Sequence, residues 1–308
     1  MKLIKRLLRN PLSLLGVILI SIFIMMAMFA PLIAPPEDWE DPYEIPRDGY
    51  RARPEPPSWL SSESEENISP GDEHWHWLGT TEGQYDIFYG VVWGTRTAFK
   101  AGLTVTAATL VVGLTFGILA AYYGGWLDEI LMRVVEIFMA FPFLLAALTM
   151  ATVLQPKLGK GIWTPIVALI AFGWTGYARL IRGDALSVKE REYVLAARTI
   201  GAGDARIILR HILPNAIFPT MVVASMDIGT NVLSFAALSF LGVGVQIGYA
   251  DWGQIISFAR NWIPVLTEYW HIIVFPGTAI ILYVLGWNLL GDAFRDILDP
   301  RMRGARGA

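Results

Sequence analysis

Long stretches without a single charged residue constrain this chain more than anything else in it. No charge occurs between Arg9 and Glu37, Lys100 and Asp128, Glu136 and Lys157, Lys160 and Arg179, or His271 and Asp292, and the run from Arg210 to Asp251 is broken only by Asp227. A helix crosses the hydrocarbon core of a bilayer with roughly 20 apolar residues at about 1.5 Å of rise each. Each run is long enough, so an all-α integral membrane protein with six transmembrane helices is expected. The charged residues, 17% of the chain against about a quarter in a soluble domain, are crowded into the segments between.

An even number of spans puts both termini on one side, and Lys and Arg then sort by segment. Four lie in the N-terminal segment 1–10 (Lys2, Lys5, Arg6, Arg9), one between the second and third runs (Arg133), seven between the fourth and fifth (Arg179, Arg182, Lys189, Arg191, Arg198, Arg206, Arg210) and four in the tail 292–308, leaving eight of the 24 opposite. The positive-inside rule then predicts a cell-membrane protein with both termini cytoplasmic. The first run, 11–36, follows a basic segment as a secretory signal would. It exceeds the roughly 7–15 apolar residues of such signals and is read as a span.

Segment 37–97 is the only long stretch without transmembrane character, and it falls on the extracytoplasmic side. Pro42, Pro46, Pro54, Pro56 and Pro57 favour turns and extended backbone there. Its Asn67-Ile68-Ser69 sequon and the pair His74 and His76 are read as chance occurrences on a surface loop. Segment 98–291 is expected to form a five-helix core that includes a charged cytoplasmic loop, 183–214. In that loop Val194, Leu195, Ile200, Ile207, Ile208 and Ile212 suit two short helices with a break at 201–203. A further short helix at 252–262, with Trp252 and Trp262 at the membrane interface, is expected outside.

The chain has no cysteine and no G-x-x-x-x-G-K-[ST] loop, and neither a His-Glu-x-x-His pair nor a Gly-x-Ser-x-Gly turn occurs, so no nucleotide, metal or catalytic constellation is legible. On the fifth run Asp227, Asn231 and Ser234 fall at i, i+4 and i+7, on one stripe. An acidic group inside a span is costly unless it faces protein or water. The stripe is therefore read either as a translocation path or as polar contacts between helices.

One cytoplasmic run has a more specific reading. Tyr193-Val194-Leu195-Ala196-Ala197-Arg198-Thr199-Ile200-Gly201-Ala202, followed by His211-Ile212-Leu213-Pro214-Asn215, resembles the cytoplasmic loop of ABC importer permeases, with Leu195 standing where that family often has Glu. The small Ala196 and Ala197 suit a helix that enters a groove, Gly201 suits its end, and Pro214 suits the start of the next helix. The resemblance continues through Asn10-Pro11, Trp77-Leu78-Gly79-Thr80, Gly124-Gly125-Trp126-Leu127-Asp128-Glu129, Ala140-Phe141-Pro142, Tyr177-Ala178-Arg179, Phe240-Leu241-Gly242-Val243-Gly244, Asp251-Trp252-Gly253 and Asp292-Ala293-Phe294-Arg295-Asp296 with Asp299-Pro300-Arg301. It is similar there to the second, C-type permease subunit of peptide importers. The family usually has Gly-Arg-Asp where this chain has Gly83-Gln84-Tyr85-Asp86.

The resemblance implies the type I importer permease fold and a heterodimer with a second, homologous permease. It also implies one or two ATP-binding subunits holding ATP and Mg, an extracytoplasmic solute-binding protein, and no catalysis or cofactor in this chain. Tyr193, Ala196, Ala197, Arg198, Thr199, Ile200, Gly201, Ala202 and Pro214 would couple to the ATPase. Peptides are the expected solute, with oligosaccharides or nickel as the other substrates and an ATP-independent channel as a reading from another class.

Overall fold

The computed structural model describes residues 10–49, 52–60 and 75–298. The basic residues of segment 1–9, the Asn67 sequon, His74 and the tail from Asp299 lie outside the described residues. Helix α1 (Pro11–Ile33) begins where the Asn10 side chain accepts from the Leu12 amide at 3.1 Å. It begins with Pro11, where a missing N–H costs little, and gives way at Ala34, ahead of Pro35, because the residue before proline disfavours the helical region. Ile20 and Phe23 are buried, while Leu12, Ile22, Met25, Met28 and Leu32 are exposed.

Helix α2 (Ile87–Tyr123) starts well before the expected boundary near Lys100. Asp86 caps it, accepting from the Tyr89 amide at 2.7 Å. Arg96 and Lys100 do not break it because each has a local partner. Arg96 Nε donates to the Ala27 carbonyl at 2.6 Å and its guanidinium lies 4.8 Å from the Trp93 ring centre, and the Lys100 ammonium lies 5.4 Å from that of Trp163. At about 1.5 Å per residue α2 is about 55 Å long, so part of it extends beyond the roughly 30 Å hydrocarbon core.

The third expected span is two helices, not one. α3 (Gly125–Met139) follows Gly124 directly, and α4 (Phe143–Leu158) leaves it at 86°. Pro142 forces the break, since Phe141 before it is driven out of the helical region. Arg133, expected in a turn, sits on α3 with Glu136 at 3.4 Å. α5 (Trp163–Lys189) continues past Arg179 and Asp184, where a surface segment was expected, since Arg182 pairs with Asp128 of α3 through two bonds of 2.6 Å.

α6 (Glu192–Thr199) is short, and α7 (Asp204–Ile207) runs through a π turn at Ile208–Ile212 into α8 (Leu213–Phe240). The second short helix expected at the surface is thus continuous with a long span. Pro214 lies inside that run, where the missing N–H and the ring would break an ordinary ladder. The π turn absorbs this, with the Leu213 amide bonded to the Ile208 carbonyl and Asn215 Nδ2 donating to the His211 carbonyl at 2.7 Å. α9 (Trp252–Phe258), capped by Asp251, passes through a 3-10 turn toward α10 (His271–Leu298). Trp252 is no interfacial residue. It is 1% exposed, packs on Phe23 and Tyr283, and donates its indole N–H to the Val91 carbonyl at 3.0 Å.

Among the described residues, five helices are long and apolar enough to cross a membrane, or six if the bent pair α3–α4 is one span. The most extensive contact joins α2 to α5. A Cβ on Gly113 would fall 2.5 Å from the Tyr177 Cβ, and one on Gly117 would overlap the Ala178 carbonyl, which is the close approach that small residues permit between spans.

At one end of the bundle, the described residues between 34 and 86 form a cap of turns and isolated bridges. Thr80 is its hub. Its amide donates to the Glu55 carbonyl at 2.9 Å, its hydroxyl accepts from the Glu55 amide at 3.0 Å, and its carbonyl is 3.2 Å from Nε2 of His271 at the start of α10. At the other end lie α3, α6 and α7.

Candidate functional site

Helix α6 is held by its inner face. Val194 is fully buried in a cluster with Tyr122 of α2, Ala185 and Val188 of α5, and Ile207 of α7, and Ala197 is buried as well. Tyr193, Ala196, Arg198 and Thr199 are exposed. Of Ala196 and Ala197, expected together in a partner's groove, the first is exposed and the second buried, because one helical step of about 100° turns them onto different faces.

The helix ends in a complete Schellman turn. The Ala202 amide donates to the Ala197 carbonyl at 3.1 Å and the Gly201 amide to the Arg198 carbonyl at 3.0 Å. Gly201 has φ of +82°, in the left-handed region that glycine adopts without a Cβ penalty. This geometry pushes Ile200 outward until it is 84% exposed. Pro214 is exposed as well, but on the body of the helix that follows.

Two residues that the sequence did not single out brace this turn. The Tyr122 hydroxyl donates to Asp204 Oδ1 at 2.6 Å, and the Arg198 guanidinium lies 5.7 Å from the centre of the same ring. Nothing local to either residue signals a pairing across so much chain. Asp204 reads only as the first residue of a helix, where an acid suits the dipole.

The stripe on α8 is bonded mainly to other helices. Asp227 Oδ2 accepts from the Tyr177 hydroxyl of α5 at 2.6 Å, and buried Asn231 donates through Nδ2 to the Thr106 hydroxyl of α2 at 2.9 Å. Ser234 bonds the Thr230 carbonyl of its own helix at 3.0 Å and stays half-buried.

His76 is not a chance surface histidine. It is 6% exposed, with Nδ1 2.6 Å from Asp86 Oδ2 and Nε2 3.6 Å from Asp48 Oδ2. Burial works against its charge, but the Asp86 hydrogen bond and the carboxylates of Asp86, Asp48 and Glu55 outweigh it and hold the imidazole above its ordinary 6.5. The cap folds it between Asp86, ten residues on, and the stretch that carries Asp48 and Glu55. Among the described residues no cluster of three His, Asp or Glu side chains is arranged to hold a metal.

Comparison with known proteins agrees with this architecture. Residues 113–304 match the family described as "Binding-protein-dependent transport system inner membrane component", and residues 2–54 match "N-terminal TM domain of oligopeptide transport permease C". The dipeptide transport system permease protein DppC of Alkalihalophilus pseudofirmus is 35% identical over 299 residues, 97% of this chain and 89% of that one. The glutathione transport system permease protein GsiD of Escherichia coli is 35% identical over 97% of this chain and 90% of its own length. The probable D,D-dipeptide transport system permease protein DdpC of Escherichia coli is 36% identical over 98% and 92%.

Among solved structures, the inward-facing MetNI methionine ABC transporter superposes with a TM-score of 0.54 at 21% identity, covering 69% of this chain and 98% of that one. An amino acid ABC transporter gives 0.51 at 16% identity, with 67% and 92% covered. The fold is that of type I ABC importer permeases. The chain belongs to the family of inner-membrane components of binding-protein-dependent transport systems, on the branch of the C-type dipeptide and oligopeptide permeases.

Proposed function

We propose that this chain is one of two homologous permease subunits of a peptide importer and that residues 193–202 dock into an ATP-binding subunit. The exposed Ile200, raised on the Gly201 turn of a helix whose inner face is fixed, carries this reading. With Tyr193 and Leu195 also exposed on the same short helix, it belongs to an apolar surface that suits burial in a partner's groove. ATP and Mg are then held by the partner, and this chain converts movement of the groove into movement of helices. The sorting of Lys and Arg supports a cytoplasmic location for this end of the bundle and for both termini. The cap then faces outward, toward a solute-binding protein. Peptides are the solute class best supported, since relatives that cover nearly the whole chain are named for dipeptide and glutathione transport. Asp227, Asn231 and Ser234 border the path where they are not occupied by neighbouring helices.

The test is to tag the C-terminus, solubilise native membranes in mild detergent and identify co-purifying proteins by mass spectrometry. A second permease and an ATP-binding subunit are expected, and the solute carried by the accompanying binding protein decides between peptide, oligosaccharide and nickel. Recovery of the chain alone would sink the docking reading and favour a channel. Solvent labelling of a cysteine at position 231 tests the path, because a residue that only joins helices stays unlabelled in every transport state.

A further inference from the structure

We propose that Tyr122 is a positioning residue for transport, the point at which movement of the docking segment enters the long helix α2. This rests on the reading of residues 193–202 as that segment. Tyr122 sits in the last turn of α2 and is 7% exposed, so its ring is fixed by packing against Val194 before the turn and Ile207 after it. Its hydroxyl bonds Asp204 at 2.6 Å and its ring lies under Arg198 at 5.7 Å. Arg198 and Asp204 belong to the two limbs that flank Ile200 and Gly201. One side chain therefore touches both limbs of the turn whose tip is exposed.

What Tyr122 is attached to makes the contact consequential. α2 runs without a break to Ile87, which is fully buried in the cap at the far end of the bundle. Close packing of Gly113 and Gly117 against α5 makes the two helices move as one body. Lys189, in the last turn of α5, also donates to the Ala121 carbonyl at 3.0 Å. A displacement of the α6–α7 turn reaches α2 through apolar packing and through one short bond to a carboxylate. The packing slides and the bond has direction, so the bond sets how the turn and helix move together.

The experiment uses the whole complex, this chain with its co-purifying subunits and binding protein, reconstituted in liposomes with radiolabelled dialanine as solute. Tyr122→Phe removes the hydroxyl and keeps the ring, Asp204→Ala removes the acceptor, and Asp204→Asn keeps a carbonyl oxygen in its place. Dialanine imported per ATP hydrolysed is expected to fall by about tenfold in Tyr122→Phe and Asp204→Ala, the scale of one hydrogen bond to a charged group. The double variant should be no worse than either single one, Asp204→Asn should retain most of the coupling, and every variant should keep the ATP-binding subunit through purification. Wild-type coupling in Tyr122→Phe, additive losses in the double variant, an Asp204→Asn as defective as Asp204→Ala, or loss of the ATP-binding subunit from the variants would each overturn the proposal. Absence of that subunit from the wild-type complex would instead overturn the docking reading, and the proposal with it.

Discussion

Arg96 donates its Nε to the carbonyl of Ala27 at 2.6 Å, and Ala27 is the residue whose helical partner is missing, because the position four residues on is Pro31. A proline inside α1 removes one rung of the ladder and would leave that carbonyl unsatisfied in an apolar environment. The guanidinium from α2 fills the vacancy while its plane rests on Trp93. A charge within an apolar helix and a proline within its neighbour, each unfavourable alone, are thus one contact that fixes α1 against α2.

Arg96→Ala should therefore destabilise the protein by about 1–3 kcal/mol, the cost of leaving a carbonyl in an apolar environment without a donor, read as a lower thermal midpoint in detergent. Pro31→Ala restores an amide to the same carbonyl, so the loss caused by Arg96→Ala should shrink in that background. An equal loss in both backgrounds would mean that the stacking on Trp93, and not the carbonyl, is what matters.

The seam between α2 and α5 makes a second prediction. Gly117→Ala forces its new methyl group onto the Ala178 carbonyl and Ile181 Cγ2, and overpacking of this kind costs about 1–3 kcal/mol. Gly176, on α5, has nothing within 4 Å of where a Cβ would stand, so Gly176→Ala should be neutral or slightly stabilising by helix propensity. Melting both variants as isolated chains checks this, and similar losses in both would show that close approach is not the cause.

How far the sequence could be read follows from how local each determinant is. The spans were legible because an unpartnered charge in hydrocarbon is costly, so charge-free runs mark them. The same rule misplaced the start of α2, since Arg96 and Lys100 have partners in α1 and on Trp163 that a linear reading does not show. Phe141-Pro142 was noted as a motif, yet the 86° bend it forces was missed because a hydropathy run does not sense backbone direction. Gly201 was legible because a left-handed residue after a short helix is a local matter. Tyr122 with Asp204, Asn231 with Thr106 and His76 with Asp86 were not, since each joins segments whose meeting depends on the whole fold.

His76 gives the cap a pH dependence whose sign is fixed. Its folded value lies above 6.5, so the fold favours the protonated form. The stabilisation is fully present below about 6.5, the unfolded value, and is lost as pH rises through the higher folded value. Buried Asp251, raised from 3.8 to about 6 by desolvation, likewise loses its contribution as pH rises, but mostly below the range from 6.5 to 8.5. Hydrogen exchange of the amides around Ser58 and His76 should therefore quicken on going from pH 6.5 to 8.5 beyond the intrinsic base-catalysed rise. In His76→Gln that excess should disappear. An unchanged excess in the variant would assign the effect to another group.

Gly201 offers a test in which backbone conformation is separated from packing. A Cβ built there meets nothing within 4 Å, so any effect of a substitution in the isolated chain arises from its φ of +82° and not from a clash. An L-residue in the left-handed region costs about 1–2 kcal/mol, asparagine less and a β-branched residue more. Gly201→Val should unwind the Schellman turn, moving Ile200 away from the position proposed to meet a partner, while the bundle, which does not depend on the turn, inserts and melts as before. Uptake by the reconstituted complex is therefore expected to be lost in Gly201→Val and largely kept in Gly201→Asn. Full uptake by the valine variant would mean that the docking segment works without this turn, and the reading of Ile200 as its tip would fall. Equal loss in both variants would point to contact between the glycine itself and the partner, since the backbone explanation requires asparagine to be tolerated.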